Sequence, residues 1–168
     1  MPSAAYPDAL QELMELLRGL PGVGRRSAER MALQLYGWAP DRLSVLAESL
    51  ATLHDRIGVC PECGAMSSGP GQLCGICSSP LRDAAQICVV EDFPQMRSIE
   101  AGGVYKGRYH ILGGTLAPLE GRLACSLSID PLLKRIDAGG VREVILALSP
   151  DVEGQATSIY LANLLKDK

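Results

Sequence analysis

The fold is decided by the stretch Cys60-Pro-Glu-Cys63, followed after ten residues by Cys74-Gly-Ile-Cys77. Each Cys-x-x-Cys turn presents two thiolates to one point, and the intervening loop lets the second turn fold back on the first. Four thiolates around one Zn²⁺ leave no open coordination position, which is typical of a structural site. Disulfides or redox pairs are the alternative, but a cytosolic redox motif normally comes as a single Cys-x-x-Cys. The spacing therefore predicts one structural zinc per chain, bound by Cys60, Cys63, Cys74 and Cys77.

Composition excludes several classes of protein. Hydrophobic residues make up 47% of the 168-residue chain and charged residues 21%, which is typical of a soluble globular protein. The longest aliphatic run, at 144–148, is too short to span a membrane, and the N-terminus lacks the features of a secretion signal. We therefore expect a cytoplasmic protein with no membrane contact. The net charge of −3 gives no global basic field, so any contact with DNA requires a local patch.

The residues before the cysteines predict an all-α part. Apolar residues recur at helical spacing from Asp8 to Arg18 and again over 28–35. A third helix is expected to begin at Pro40-Asp41 and to keep its period as far as Ile57. We expect its apolar face to pack on the first two helices.

The turn between the first two helices is a candidate DNA-binding site. Gly22 and Gly24 remove side chains where a phosphate would approach, and the unpaired N–H groups of the next helix begin there. Arg25, Arg26 and Arg30 add cationic donors. This arrangement suits sequence-independent contact with a DNA backbone. An ordinary helical hairpin with solvated arginines fits the same residues, and the pattern alone does not separate the two.

After the cysteines, the pattern changes to strands alternating with helices. The predicted strands lie at 86–90, 109–112 and 143–148, and the predicted helices at 94–100, 127–136 and 156–165. Strands joined by helical crossovers predict a small parallel sheet. Ligands of such sheets bind beyond the carboxyl ends of the strands. The acids at these ends are therefore candidates for weak binding of Mg²⁺ or a partner, and they are Glu91, Asp92, Asp151 and Glu153.

These segments together resemble the bacterial RecR recombination proteins. Besides the cysteines, the resemblance is carried by Leu20-Pro-Gly-Val-Gly-Arg-Arg-Ser-Ala-Glu-Arg30 and by the segments at 87–91, 109–114 and 152–157. It implies an α/β fold with an all-α N-terminal part. The implied domains are a helix–hairpin–helix DNA-binding region at 1–57, a four-cysteine zinc finger at 58–83 and a small parallel-sheet Toprim domain at 84–168.

The resemblance also implies a function. It suggests a non-catalytic DNA-binding mediator of recombinational repair that acts with RecF and RecO to load recombinase at gaps. Its DNA would be single-stranded, duplex or gapped, and its place would be the cytoplasm, at the nucleoid. Arg26 and Arg30 match the basic positions of the family's Gly-x-Gly-x-Lys-Ser-Ala-x-Arg pattern, which favours DNA contact by the hairpin.

Two alternatives stay open. One is a Mg²⁺-dependent Toprim nuclease or topoisomerase-like enzyme, and the other is a zinc-ribbon adaptor that does not touch DNA. Toprim enzymes carry Asp-x-Asp after a later strand, whereas Ser149 stands here in place of the first aspartate. Tyr105 and Tyr109 are nucleophile candidates only in principle. We expect Glu91→Ala or Asp151→Ala to leave folding nearly intact, because strand-end acids are usually solvated.

The resemblance further implies a ring-shaped tetramer that clamps DNA. The N-terminal helices carry more apolar surface than so short a segment buries alone, which favours pairing with a second copy. The chain stops at Lys168, whereas the family continues with a further strand and a C-terminal arm. We therefore expect a homodimer through the N-terminal helices and a weakened tetramer.

Overall fold

A computed structural model describes residues 6–166 and 168 of the chain. The chain divides into two units, the first ending at Leu53 and the second beginning at His54. In the part of the chain that the structure describes, none of the helices has the length and apolar content needed to cross a bilayer.

The first unit is helical, as predicted. Its long helices are α1 (Asp8–Arg18), α2 (Arg25–Tyr36) and α3 (Pro40–Ala51). The α1–α2 hairpin closes on Ala28 and Ala32 of α2, which are fully buried. The turn between them needs a glycine at position 22, because this residue has a φ of 78° in the left-handed region.

The third helix differs from the prediction in two ways. It ends at Ala51, and a separate single turn, α4 (Leu53–Arg56), follows it. Thr52 separates the two helices, and its hydroxyl donates to the carbonyl oxygen of Glu48 at 2.8 Å. No residue of α3 is buried, so the expected close packing on the hairpin is not formed within one copy.

The second unit begins with a small β-hairpin around the cysteines. Its strands, β1 (Gly58–Val59) and β2 (Met66–Ser67), pair antiparallel. Position 58 requires glycine, because a Cβ there would overlap the backbone of Gly69 in the loop that leads to the second cysteine motif.

A parallel three-stranded sheet follows, as predicted. The central strand β3 (Asp83–Val90) lies between β4 (Gly107–Ile111) and β5 (Glu143–Leu146). The remaining elements are α5 (Phe93–Ala101), α6 (Ile129–Asp137), α7 (Val152–Leu165) and 3₁₀ turns at Pro118–Glu120 and Ala124–Ser126. Helix α7 begins four residues earlier than predicted, so Val152 and Glu153 belong to its first turn.

Alternate residues of β3 supply two hydrophobic clusters, one on each face of the sheet. Ile87 and Val89 pack in a cluster with Leu132 of α6 and Leu161 of α7. The opposite cluster contains Cys88 and Val90 of β3, Met96 of α5, Tyr109 and Ile111 of β4, and all four paired cysteines. The cysteines therefore belong to the core of the sheet. The division at 58–83 and 84–168 stays a prediction about domain boundaries.

Candidate metal centre and nucleic-acid interface

The four predicted zinc ligands converge on one point. Their Sγ atoms all lie within 4.8 Å of one another, and all four side chains are buried. Four sulfurs about 2.3 Å from one Zn²⁺ at tetrahedral angles would be about 3.8 Å apart. The observed separation of Cys63 Sγ and Cys74 Sγ is 3.6 Å, and all four cysteines are free rather than disulfide-bonded. The site therefore has the donor set and the size of a closed four-thiolate metal centre.

Local backbone hydrogen bonds shape both cysteine turns. The N–H of Gly64 donates to the carbonyl of Cys60 at 3.0 Å, and the N–H of Cys60 donates to the carbonyl of Ala65 at 2.7 Å. In the second turn, the N–H of Cys77 donates to Cys74 Sγ at 3.4 Å. A hydrogen bond from an N–H group to sulfur favours the thiolate. The turns are thus built to hold ionised sulfur.

The thiols influence one another's ionisation. The pKa of Cys63 is lowered to about 6, chiefly because the Cys77 thiol donates a hydrogen bond to it. The pKa of Cys77 is raised by that same bond and then by burial, and the pKa of Cys74 is raised chiefly by burial. The Cys63 thiolate is thus stabilised by hydrogen bonds from neighbouring thiols that keep their protons. Ionising all four sulfurs at once requires a cation among them, because the negative charges would otherwise repel one another. This chemistry fits a divalent ion that accepts sulfur ligands, such as Zn²⁺.

The first cysteine turn is attached to the end of β4. The N–H of Ile111 donates to the carbonyl of Cys63 at 2.8 Å. Beside it, Arg108 pairs with Glu62 at 3.4 Å. The metal centre is therefore continuous with the sheet through hydrogen bonds as well as through the shared core.

A partly buried ion pair follows the second cysteine turn. Arg82 donates to both carboxylate oxygens of Glu100, and Glu100 also accepts from the Tyr109 hydroxyl at 2.9 Å. The pKa of Glu100 is lowered, first by the hydrogen bonds from Arg82. The Tyr105 hydroxyl donates to the carbonyl of Arg108 at 3.0 Å, and burial raises its pKa to about 12. The hydroxyls of Tyr105 and Tyr109 are thus both used in hydrogen bonds within the protein, which favours a structural role over that of a nucleophile.

The acids after β3 are engaged by protein groups. The carboxylate of Glu91 accepts from the backbone N–H of Ser149 and from its hydroxyl, the latter at 3.0 Å. Asp92 is the N-cap of α5 and accepts from the N–H of Gln95 at 2.8 Å. Ser149, which replaces an aspartate of Toprim enzymes, therefore acts as a hydrogen-bond donor to Glu91.

The acids after β5 are engaged as well. Asp151 is the N-cap of α7 and accepts from the N–H of Gly154 at 2.7 Å. Glu153 accepts from Arg122 at 3.1 Å and from the Thr115 hydroxyl at 3.2 Å. Among residues 6–166 and 168, the four cysteines are the group in which three or more potential metal ligands converge. Asp92 and Asp151 are exposed and also cap helices, so these acids are hydrogen-bonded to the protein as well as in contact with solvent. That Glu91→Ala and Asp151→Ala leave the fold nearly intact stays a prediction.

We expect Asp151→Ala to lower the free energy of unfolding by about 1 kcal/mol, because α7 loses its N-cap. Urea denaturation followed by circular dichroism measures this change. Asp151→Asn is the matched control, since its amide oxygen still accepts from the N–H of Gly154. Equal stability of the alanine variant and the parent would contradict a capping role.

The predicted DNA-binding arginines all belong to α2 of the hairpin. Arg25, Arg26 and Arg30 are all exposed, and α2 begins after Gly24 without a side-chain cap. In the described part of the chain, none of the three takes part in an ion pair. Glu29 instead accepts from the Tyr6 hydroxyl at 2.6 Å. The positive charges at the start of α2 are therefore left facing solvent.

Sequence reasoning missed one pair in the same unit. The guanidinium carbon of Arg42 lies 3.6 Å from the ring centroid of Trp38, in a cation–π stack. The only signal in the sequence was the chain's single tryptophan followed four residues later by an arginine.

Comparison with known proteins matches two separate parts of the chain to family models. A family model described as "RecR, helix-hairpin-helix" matches residues 10–54, and a "Toprim domain" model matches residues 85–168. The chain is 42% identical over 168 residues to recombination protein RecR of Syntrophobacter fumaroxidans, covering 100% of this chain and 83% of that protein. It is 46% identical over 165 residues to recombination protein RecR of Hyphomonas neptunium, covering 98% and 81%. With its helical hairpin, its four converging cysteines and its parallel sheet in that order, the chain belongs to the RecR family of recombination proteins.

Proposed function

We propose that this protein is a non-catalytic DNA-binding mediator of recombinational repair. In this proposal it acts in the cytoplasm, at the nucleoid, with RecF and RecO, and helps to load recombinase at gaps in DNA. The observation that carries the proposal is the group of exposed arginines of α2, Arg25, Arg26 and Arg30, which form no ion pair among the residues that the structure describes. The resemblance to RecR proteins supports the same role.

The hairpin suits the DNA backbone for a physical reason. Arginine side chains make charge-assisted hydrogen bonds to phosphate, and the first N–H groups of a helix point towards an anion placed at its N-terminus. Gly22 and Gly24 carry no side chains, and a Cβ at either position would meet no atom within 4 Å, so a phosphate has open access. Contacts of this kind do not read bases, so the binding is independent of DNA sequence.

The metal is proposed to be one structural zinc per chain. Burial of all four cysteines in the core of the sheet supports this role, because a metal surrounded by four thiolates has no open position for a substrate. The ion then supplies the positive charge that four clustered thiolates need, and it holds the two cysteine turns together.

The acidic groups support a mediator rather than a phosphoryl-transfer enzyme. Metal-dependent cleavage needs carboxylates that converge on an ion and leave oxygens free for it. Here Glu91 is bound by Ser149, and Asp151 caps α7. We therefore expect Mg²⁺ to bind weakly at these acids, and we expect no relaxation or nicking of supercoiled plasmid in its presence.

A homo-oligomer is part of the proposal, with the first contact through the N-terminal helices. Apolar side chains on these helices are widely exposed, Leu16 to 75%, Tyr36 to 80% and Val45 to 64%. Leu13, Leu33 and Leu43 line an apolar groove of about 490 Å³ in the same unit. Light scattering across a dilution series distinguishes dimer from tetramer.

Neutralising Arg26 and Arg30 together tests the function. We expect Arg26→Gln with Arg30→Gln to weaken binding to gapped DNA. We also expect the affinity to fall less steeply with salt, so that the magnitude of the slope of log affinity against log salt decreases. The slope should fall by about one unit for each phosphate contact that is lost. Fluorescence anisotropy at several salt concentrations gives both values.

The matched control removes the same charge elsewhere. Arg97→Gln with Lys134→Gln changes two exposed residues of the second unit, and it should leave the salt slope near that of the parent. If the hairpin variant bound gapped DNA with the parent's affinity and slope, the arginines would have no role in binding.

A further inference from the structure

The stacked pair joins Trp38, in the link between α2 and α3, to Arg42 in the first turn of α3. Backbone hydrogen bonds hold both residues: the N–H of Trp38 donates to the carbonyl of Leu35 at 3.0 Å, and the N–H of Arg42 donates to the carbonyl of Ala39 at 3.1 Å. Trp38 is half-buried and Arg42 is exposed. The pair is therefore a preformed, partly exposed stack, and a ligand that binds it does not have to order it first.

The stack comes directly after a groove along α2 that contains two of the arginines. This groove, about 490 Å³ in volume, runs along one side of α2 and is lined by Arg26, Glu29, Arg30, Leu33, Gln34 and Gly37. Arg26 and Gly37 are about 16 Å apart along the helix axis, given the rise of an α-helix. Trp38 directly follows Gly37 in the chain, so the aromatic residue is one position beyond the end of the groove that lies away from Arg26.

The two ends suit different parts of a nucleic acid. Arginines bind phosphate wherever it occurs, but an indole or a guanidinium plane stacks on a base only when that base is unpaired and accessible. Arg42 lies over the Trp38 ring, and Arg42 is itself exposed to solvent. In a duplex, the base faces are already covered by neighbouring base pairs, so no base is available to stack on Trp38 and Arg42.

We infer that Trp38 and Arg42 form a stacking platform for an unpaired base of single-stranded DNA, next to the backbone contacts of Arg26 and Arg30. The inference rests on the proposed function and adds to it a preference for single-stranded over duplex DNA. An alternative role is purely structural, in which the stack only stiffens the link between α2 and α3.

The chain's single tryptophan reports directly on the platform. The protein is titrated with an oligothymidylate and, separately, with a duplex of matching length, while tryptophan fluorescence is recorded. Stacking of a base should quench Trp38 with the single strand and leave it nearly unchanged with the duplex. Equal fluorescence changes with both DNAs would overturn the inference.

Variants separate stacking from fold. Trp38→Leu should weaken oligothymidylate binding by about 5- to 100-fold, the loss expected for one stacked base, with duplex binding unchanged. Trp38→Phe keeps an aromatic face and should retain most of the affinity, and Arg42→Gln should fall between the two. Thermal unfolding of each variant shows whether the first unit remains folded.

The failures differ in what they overturn. If Trp38→Leu weakens single-strand and duplex binding equally, or neither, the stack is structural and the inference fails while the proposed function stands. If the parent binds neither DNA, the proposed function fails and the inference fails with it. If Trp38→Leu alone is unfolded, Trp38→Phe decides. A small loss of affinity for the single strand, as expected for the smaller ring, with duplex binding unchanged, supports the inference.

Discussion

Replacing Cys63 with alanine is expected to abolish metal binding and to unfold the unit that begins at His54. Binding of zinc to a structural cysteine site contributes about 10–16 kcal/mol of apparent free energy, as much as the whole stability of a typical domain. Cys63 packs in the same cluster as Val90 and Tyr109, so the damage extends into the core of the sheet. Metal analysis of the purified protein and thermal unfolding by circular dichroism measure the two effects.

Cys125 provides the matched control for this experiment. It is exposed and lies outside the cysteine cluster, so Cys125→Ala should keep one zinc per chain and the parent's melting temperature. A Cys63→Ala protein with a full zinc content and an unchanged melting temperature would show that the metal centre is assigned to the wrong residues.

Replacing Gly154 with alanine is expected to destabilise the second unit by about 2–3 kcal/mol, as overpacking does. Helix propensity alone predicts the opposite, since alanine is favoured over glycine in a helix by about 1 kcal/mol. A Cβ at position 154 would overlap the carbonyl oxygen of Ser149 and lie 2.9 Å from its carbonyl carbon. These are backbone atoms of the loop after β5, which do not move aside as the end of a flexible side chain does. Urea denaturation gives the change in the free energy of unfolding.

Gly75→Ala is a control in the same unit. A Cβ at position 75 would meet no atom within 4 Å, so this change should alter stability by less than about 0.5 kcal/mol. A Gly154→Ala protein as stable as the parent would mean that the loop at Ser149 moves without cost.

The secondary structure was largely predictable because it depends on neighbouring residues. The helical spacing of apolar residues located α1 and α2, and the runs around Ile87 and Val144 located the central and edge strands of the sheet. The metal site was predictable for the same reason, since a Cys-x-x-Cys turn brings its two sulfurs together by local geometry alone. Thr52 shows where this reasoning fails, because the helical period continues past a residue at which the helix stops.

The pattern of residues along the chain was thus enough to predict the helical hairpin, the four converging cysteines and the parallel sheet. Only the tertiary structure decided the roles of the acids, since Glu91 meets Ser149 across 58 positions of the chain and Glu153 meets Arg122 across 31. It also decided that Gly154 must remain glycine and that Arg42 stacks on Trp38. The spacing of apolar residues indicates which side of a helix or strand faces the core. It does not record which distant backbone passes beside a given side chain, and hydrogen bonds and steric contacts depend on that path.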